Sequence, residues 1–458
     1  MSGARNLPDG TLIAFYGDDF TGSSAVMEVT AFAGLPTVLF LNPPTPERLS
    51  RFAGHRVIGI AGVARSQSPS WMDRHLPPVF ELLRSLNAPV VHYKVCSTFD
   101  SAPHVGSIGR AIDIGAPIIG GSWRPVVVGD PGMGRYQAFG HLFAMANDVA
   151  YRLDEHPTMS RHPVTPMDDA HLGRHLAKQT TRKTAVIDFV GMKRGQAEER
   201  LPAALKSGAD IVFLDVLDRE TLIESGRLIW EHRGERLFGI GSQGFEAALV
   251  AYWQSAGMLE ASDAALRAPP AARIACVSGS VSPITAGQIA YATEHGFASI
   301  RLDATRVVDP AAWQNELARA AEQALAALGE GRDPLIYTAA GPDDPAVAAL
   351  RTAITASGAP LDVVNDRIGE GLGLALGRVV RDAKLTRAVI SGGDTSGHAA
   401  STLGVYALTA IAPIAPGSPL CHAHTDDAGI AGLELALKGG QVGKPDFFYA
   451  VKCGGLIE

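Results

Sequence analysis

The sequence lacks the features that mark secreted, membrane and nucleic-acid-binding proteins. Its 458 residues include only four cysteines. No two of them have CxxC spacing, which excludes a disulfide framework and fits a reducing compartment. With 40 Lys plus Arg against 47 Asp plus Glu, the net charge is −7, and no basic run offers a surface for nucleic acid or an anionic membrane. No apolar run approaches ~18 residues and no signal peptide begins the chain, so we expect a cytoplasmic protein.

The composition and the pattern of apolar residues indicate two large α/β domains. Hydrophobic residues make up 46% and charged residues 19%, which excludes a disordered chain. Short apolar, β-branched runs alternate with Ala/Leu-rich helical stretches, a pattern typical of mostly parallel sheets flanked by helices. The small-residue stretch 261–272, which contains Pro269 and Pro270, predicts a boundary. We therefore expect an N-terminal domain of residues 1–262 and a C-terminal domain of residues 273–458.

Two adjacent carboxylates follow the first predicted strand, Thr11–Tyr16. In doubly wound sheets, ligands bind at the carboxyl ends of strands. Asp18 and Asp19 occupy such a position, just before a predicted helix. They could bind Mg²⁺ or accept a proton from a substrate hydroxyl. Capping of the helix explains the same residues equally well, and the two roles are compatible.

The stretch His92–Ser101 combines a cation, hydroxyls and a carboxylate after another strand. Lys94 would face the hydroxyls, an arrangement that suits a polyhydroxylated acid. Arg65 follows a different strand and could pair with a carboxylate, although a solvated surface arginine is the plainer alternative. No histidine in the sequence is linked to Cys96 as an activating base, so Cys96 is better interpreted as a small buried residue than as a nucleophile.

Two Gly/Ser loops enter helices in the second half, at Ser278–Thr285 and Ser391–Gly397. Such loops favour anion binding, and together they favour a nucleotide site over structural turns alone. The stretch Leu437–Pro445 is not a Walker A motif, but Lys438 and its glycines could contact phosphates. Residues 421–427 lack a second metal-ligand pair, which predicts a polar loop near the ligand and not a zinc site.

These motifs, taken in order, resemble the four-carbon acid sugar kinase family. The ones that carry the resemblance are Asp18–Gly22, Cys96–Ser101, Ser278–Pro283, Gly392–Thr395 and Lys438–Gly440. The resemblance spans nearly the whole chain. It implies a two-domain enzyme whose N-terminal domain binds a sugar acid and whose C-terminal domain binds ATP with Mg²⁺. The sequences of the Ser-Val-Ser-Pro and Lys-Gly-Gly segments resemble a branch of the family that is distinct from the simple tetronate kinases. This resemblance implies a substrate such as 3-oxo-isoapionate.

The resemblance also implies roles for individual residues. Those expected at the sugar acid are Asp18, Asp19, Arg65, Lys94, Ser97, Thr98 and Asp100. Those expected at the nucleotide are Ser278, Ser282, Gly392, Gly393, Asp394, Thr395, Gly439 and Gly440. Asp19 is the first candidate for the catalytic base, with Asp100 and Asp394 as rivals, and no metal ligand is assigned.

The expected reaction is phosphoryl transfer from ATP to a hydroxyl of a small sugar acid. Two other functions stay open at this point. One is an NAD-dependent sugar-acid dehydrogenase, which the missing G-x-G-x-x-G fingerprint disfavours. The other is a non-catalytic sugar-acid binding protein or sensor. Assembly into a homodimer also stays open.

Overall fold

The chain forms two compact units, Met1–Asp263 and Ala264–Glu458. The computed structural model describes residues 6–146, 148–261 and 266–455, without the side chain of Asp394. Each unit contains a mostly parallel sheet with helices, so the predicted α/β class is confirmed.

The first unit is built on eight parallel strands. Its strands are β1 (Ile13–Gly17), β2 (Thr37–Phe40), β3 (Val57–Ala61), β4 (Val90–Lys94), β5 (Arg124–Val127), β6 (Arg135–Ala138), β7 (His141–Ala146), β8 (Val149–Arg152), β9 (Thr184–Ile187), β10 (Ile211–Leu214) and β11 (Leu237–Gly241). Its helices are α1 (Phe20–Phe32), α2 (Pro46–Ser50), α3 (Pro69–Ser85), α4 (Ile108–Ile119), α5 (Leu172–Leu176), α6 (Phe189–Lys193), α7 (Ala197–Lys206), α8 (Arg219–Glu231) and α9 (Gly244–Ser255). The strand order is β2-β3-β1-β4-β11-β5-β10-β9, and β6, β7 and β8 form a separate antiparallel sheet.

Continuous apolar runs form the central strands of this unit because both faces of the sheet are covered. Every residue of β1, β4 and β10 is buried. In the register of β1 with its neighbours, Gly17 lies opposite Ala61 of β3 and Lys94 of β4. The polar segments that follow these three strands therefore start at the same edge of the sheet.

The second unit extends a parallel sheet by two strands that are antiparallel to each other. Its strands are β12 (Ala275–Ser278), β13 (Phe297–Arg301), β14 (Asp333–Tyr337), β15 (Arg387–Ser391), β16 (Val405–Ala415), β17 (Ser418–Thr425) and β18 (Glu434–Lys438). Its helices are α10 (Pro283–Glu294), α11 (Pro310–Gly329), α12 (Pro345–Ser357), α13 (Leu361–Ala383), α14 (Gly393–Thr402) and α15 (Phe447–Cys453). The order is β13-β14-β12-β15-β18-β17-β16, with β17 antiparallel to both of its neighbours.

Strand β17 corrects one expectation from the sequence. Residues 421–427 were expected to form a polar loop, but residues 421–425 belong to β17 and Cys421 is buried. The strand forms because backbone groups of β17 pair with β16 on one side and β18 on the other. That long-range pairing outweighs the polar character of the local sequence.

In the described ranges, every helix is too short or too polar to cross a membrane.

Candidate active site

Asp18 and Asp19 are joined through the guanidinium of Arg65. Arg65 donates to Asp18 from Nε (3.2 Å) and Nη2 (2.6 Å), and Nη2 also donates to Oδ1 of Asp19 at 2.7 Å. Asp18 is only 1% exposed, whereas the side chain of Asp19 is 28% exposed. Burial raises the pKa of Asp18, and the charge of Arg65 opposes that shift. Asp19 is therefore the carboxylate of this pair that a ligand can reach.

Asp19 also caps α1. Its Oδ1 accepts a hydrogen bond from the backbone N–H of Gly22 at 2.9 Å. A side chain at position 22 would collide with this carboxylate and would come within 2.5 Å of Lys94 Nζ. Because Gly22 has no side chain, Asp19 and Lys94 can both lie against the start of α1. The described hydrogen bonds to the Asp19 carboxylate both reach Oδ1, which leaves Oδ2 available to a substrate hydroxyl.

Lys94 is buried at the end of β4. It is 1% exposed, and its ammonium donates to the carbonyl oxygen of Val95 at 2.6 Å. The main chain ties it to Asp18, whose N–H donates to the Lys94 carbonyl oxygen at 2.9 Å. Asp18, Asp19, Arg65 and Lys94 thus form one charged cluster of two carboxylates and two cations.

The loop after β4 carries hydroxyls and a carboxylate that contact one another. Thr98 donates from Oγ1 to Asp100 Oδ1 at 2.7 Å, and the Cys96 sulfur lies 3.0 Å from the same hydroxyl. Phe99 has a left-handed backbone, φ 56°, and its ring is fully buried. Burial raises the pKa of the Cys96 thiol, which keeps it protonated and weakly nucleophilic. Ser97 in this loop is partly exposed.

A further cation near this loop, Arg135, was missed in the sequence analysis. Its Nη1 donates to the carbonyl oxygens of Met133 (3.1 Å) and Gly134 (3.2 Å), while its buried Nε has no partner. Burial lowers the pKa of Arg135, and the nearby carboxylates of Asp130 and Asp100 oppose the shift.

No described carboxylate forms an ion pair with Arg135. The turn that carries it is closed by two backbone hydrogen bonds between Asp130 and Arg135, of 2.8 and 3.0 Å. In the sequence, the glycines around residues 129–134 marked the loop, but nothing local indicated where its arginine would lie.

In the second unit, three polar residues end three adjacent strands at the same level. Ser278 of β12 lies opposite Ser391 of β15, and Ser391 lies opposite Lys438 of β18. All three are buried. The hydroxyl of Ser391 has no hydrogen-bond partner among the described residues. These residues form the floor of a glycine- and serine-rich cradle made of residues 278–285, 391–396 and 438–440.

A network of hydroxyls holds two sides of this cradle together. Ser282 caps α10 by accepting from Thr285 N at 3.1 Å, and it donates to the carbonyl oxygen of Gly440. Thr285 donates from Oγ1 to Ser280 Oγ at 3.0 Å. Pro283 stands in the first turn of α10, where no backbone donor is needed. Ser282 thus has a structural role in addition to its predicted contact with nucleotide.

The glycines of the cradle occupy positions where a side chain would intrude. Gly392 has φ 133°, and a Cβ there would lie 2.8 Å from Thr395 Oγ1. A Cβ on Gly440 would lie 2.8 Å from Ser280 Oγ. Gly393 differs, because a Cβ there would meet nothing within 4 Å. The backbone at Gly393, at the start of α14, is therefore open to a ligand.

The cradle fits the phosphates of a nucleotide. Its Ser391 hydroxyl has no partner among the described residues, side chains at Gly392 or Gly440 would fill its space, and its buried Lys438 ammonium donates to neutral oxygen atoms. In the described part of the chain, no group of three His, Cys, Asp or Glu side chains could hold a metal ion. Mg²⁺ in kinases is held largely by phosphates and water, so few protein ligands are required.

The predicted site residues fall into two groups. The structure brings Asp18, Asp19, Arg65 and Lys94 together, with Ser97, Thr98 and Asp100 on the loop after β4. In the second unit it brings Ser278, Ser282, Gly392, Thr395 and Gly440 together, with Gly439 beside Lys438. The side chain of Asp394 lies outside the described part. The roles of all these residues in binding and catalysis stay predictions.

Comparison with known proteins identifies the family. A model of a sugar-binding N-terminal domain matches residues 13–249, and a model of a nucleotide-binding C-terminal domain matches residues 275–448. A Paraburkholderia graminis protein named 3-oxo-isoapionate kinase is 47% identical over 98% of this chain and 96% of its own length. The chain belongs to the four-carbon acid sugar kinase family.

Other similar proteins are more distant. A Methylobacterium radiotolerans protein named 3-oxo-tetronate kinase is 32% identical over 94% of this chain and 96% of its own. A Salmonella typhimurium crystal structure described as a tRNA synthase has a TM-score of 0.76 and covers 95% of this chain and 98% of its own. At 24% sequence identity, that likeness shows the fold alone.

Proposed function

We propose that this protein is an ATP-dependent kinase that phosphorylates a hydroxyl of a small 3-oxo sugar acid. The observation that carries the proposal is the separation of chemistry between the two family domains. The sugar-binding unit holds a reachable carboxylate beside buried cations, and the nucleotide-binding unit holds a glycine cradle with a buried lysine. Kinases need such positioning and charge neutralisation more than covalent chemistry.

Asp19 is the proposed base. Its Oδ1 is fixed by Gly22 N and by Arg65, so the direction of Oδ2 is set before the substrate arrives. A substrate hydroxyl bound at Oδ2 would donate its proton there as its oxygen attacks phosphorus. Asp100 stays the rival, because it too carries a carboxylate on a loop at the same sheet edge.

Arg135 is the proposed partner of the substrate carboxylate, together with Lys94. Two of the three guanidinium nitrogens of Arg65 already donate to aspartates, which neutralises much of its charge. Arg135 has a free buried Nε and no described carboxylate bonded to it. An arginine with unused donors binds a carboxylate more strongly than one that is already paired.

ATP, when bound with Mg²⁺ in the cradle, supplies the phosphoryl group. The backbone N–H of Gly393 and the start of α14 would bind phosphate oxygens, whereas the N–H of Gly392 already donates to the carbonyl oxygen of Lys438 at 2.9 Å. The hydroxyls of Ser278 and Ser391 lie beneath them, and Thr395 borders Gly392. In this proposal, these groups orient the terminal phosphate.

The proposed substrate is 3-oxo-isoapionate or a closely related branched acid. The relative with that name shares 47% of residues over nearly the full chain, whereas the 3-oxo-tetronate kinases share 28% to 32%. A cytoplasmic location, where ATP is supplied, and a homodimer stay predictions.

A coupled ADP-release assay tests the proposed function. The panel contains 3-oxo-isoapionate, the 3-oxo-tetronates, threonate and erythronate, each with MgATP. We expect 3-oxo-isoapionate to raise ADP release at least ~10-fold above the rate without acid, the response of a committed substrate. If no acid in the panel stimulates ADP release, the proposed function is wrong. If a tetronate is preferred, only the substrate assignment is wrong.

A further inference from the structure

The charge on Lys438 has no described counter-ion. Lys438 ends β18 and is 1% exposed. Its ammonium donates to Thr285 Oγ1 at 3.1 Å and to the carbonyl oxygen of Gly439 at 3.0 Å, and the Phe447 ring centre lies 5.8 Å away. All of these neighbours are uncharged. A buried ammonium in such surroundings is unfavourable unless an anion joins it.

Charged residues on the elements around β18 form ion pairs with other residues or are at least partly exposed. Arg387 pairs with Glu434 at 2.5 Å, Lys452 with Asp333 at 2.6 Å, and His398 of α14 with Asp366 at 3.3 Å. In the segment after β18, Lys444 is exposed and Asp446 is partly exposed. Among the described side chains, none forms an ion pair with Lys438, and that of Asp394 is not among them.

We propose that Lys438 is the phosphate-binding cation of the cradle and that it takes up a proton when nucleotide binds. The inference rests on the proposed function, since it needs nucleotide in this unit. An ammonium has three N–H donors, and two of them have acceptors in the chain. The third is available to a phosphate oxygen of the ligand.

The proton balance follows from burial. Burial lowers the pKa of Lys438 from 10.5 to about 8, so near that pH the free protein holds a mixture of amine and ammonium. The negative charge of a bound polyphosphate stabilises the ammonium, so its pKa rises and the amine takes one proton from solvent. Nucleotide affinity should then fall as the pH rises above about 8, where the amine form of the free protein must be protonated first.

Calorimetry of MgADP binding at pH 8 tests this coupling. Titrations in two buffers of different ionisation enthalpy give the number of protons taken up. We expect uptake of about half a proton for the wild-type protein, because about half of Lys438 is unprotonated there. Lys438→Met should bind MgADP about 100-fold more weakly with no uptake, because the phosphates lose their buried partner.

Lys438→Arg is the matched control. A guanidinium keeps its charge at every pH used, so this variant should retain most of the affinity but show no proton uptake. The KM for ATP should rise between pH 7 and 9.5 in the wild type and stay flat in Lys438→Arg. If Lys438 had only a structural role, Lys438→Arg would not keep nucleotide affinity while losing proton uptake.

Two results would overturn the inference by itself. One is an active kinase whose MgADP binding shows no buffer dependence and whose KM for ATP does not change with pH. The other is Lys438→Met with wild-type nucleotide affinity. A protein that neither binds nucleotide nor releases ADP with any sugar acid would instead overturn the proposed function, and the inference with it.

Discussion

Arg65 and Asp18 form an ion pair joined by two hydrogen bonds, of 3.2 Å from Nε and 2.6 Å from Nη2. The two residues follow β3 and β1, which are neighbours in the sheet. Through Nη2, Arg65 also reaches Asp19, so one guanidinium holds both the buried aspartate and the partly exposed one. Asp18 therefore orients Arg65, and Arg65 orients Asp19, the proposed base.

Replacing Asp19 by asparagine separates its charge from its structural role. Asparagine is also a good helix N-cap, so the start of α1 should persist and the unfolding temperature should stay close to that of the wild type. Loss of the carboxylate should lower kcat at least ~100-fold. Steady-state kinetics and a thermal melt check both statements, and near-normal turnover would remove Asp19 from the mechanism.

Arg135→Gln should remove the preference for an anionic substrate. We expect kcat/KM for the sugar acid to fall about 100-fold, while binding of its neutral amide changes little. Arg110→Gln is the control, because Arg110 is an exposed arginine paired with Asp73. If Arg135→Gln still prefers the acid over the amide as strongly as the wild type does, the carboxylate binds elsewhere.

Gly393→Val should obstruct nucleotide without straining the free protein, since a Cβ at this position meets nothing within 4 Å. We expect the KM for ATP to rise at least ~10-fold and the KM for the sugar acid to stay constant. Gly397→Val is a matched control on the same helix, with equally open space. Equal ATP kinetics in the two variants would place the phosphates away from Gly393.

Cys96→Ala should retain turnover within ~3-fold, because a thiol whose pKa is raised by burial is a poor nucleophile. The variant loses only the contact of its sulfur with the Thr98 hydroxyl. Initial rates under saturating substrate provide the check. Inactivity comparable to that of Asp19→Asn would indicate a covalent role for Cys96.

Much of the fold could be predicted because parallel strands buried on both faces leave continuous apolar runs. The apolar runs Val90–Lys94 and Ile211–Leu214, for example, form β4 and β10. The β6–β8 sheet was missed because its residues alternate only weakly between buried and exposed. The hairpin between β6 and β7 is held by a distant contact, in which Asp215 accepts hydrogen bonds from the backbone of Phe139 and Gly140.

In the candidate site, too, positions set by the local sequence could be predicted, and positions set by distant contacts could not. Asp18, Asp19 and Lys94 directly follow or end strands, so their shared sheet edge could be expected from chain position. Arg135 depends on the fold of the β6–β7 hairpin, and nothing near it in the sequence indicates that placement. Ser278, Ser391 and Lys438 lie side by side only because of the strand order of the second unit, which the sequence pattern did not determine.

Phosphorus NMR of the reaction products tests the central claim most directly. MgATP and 3-oxo-isoapionate are incubated with the wild-type protein, with Asp19→Asn and with Lys438→Met. We predict a new phosphate-ester signal equal in amount to the ADP formed by the wild type, and neither signal at a comparable rate in the variants. ADP accompanied only by inorganic phosphate, or ester formed equally fast by Asp19→Asn, would contradict phosphoryl transfer to a sugar-acid hydroxyl at this site.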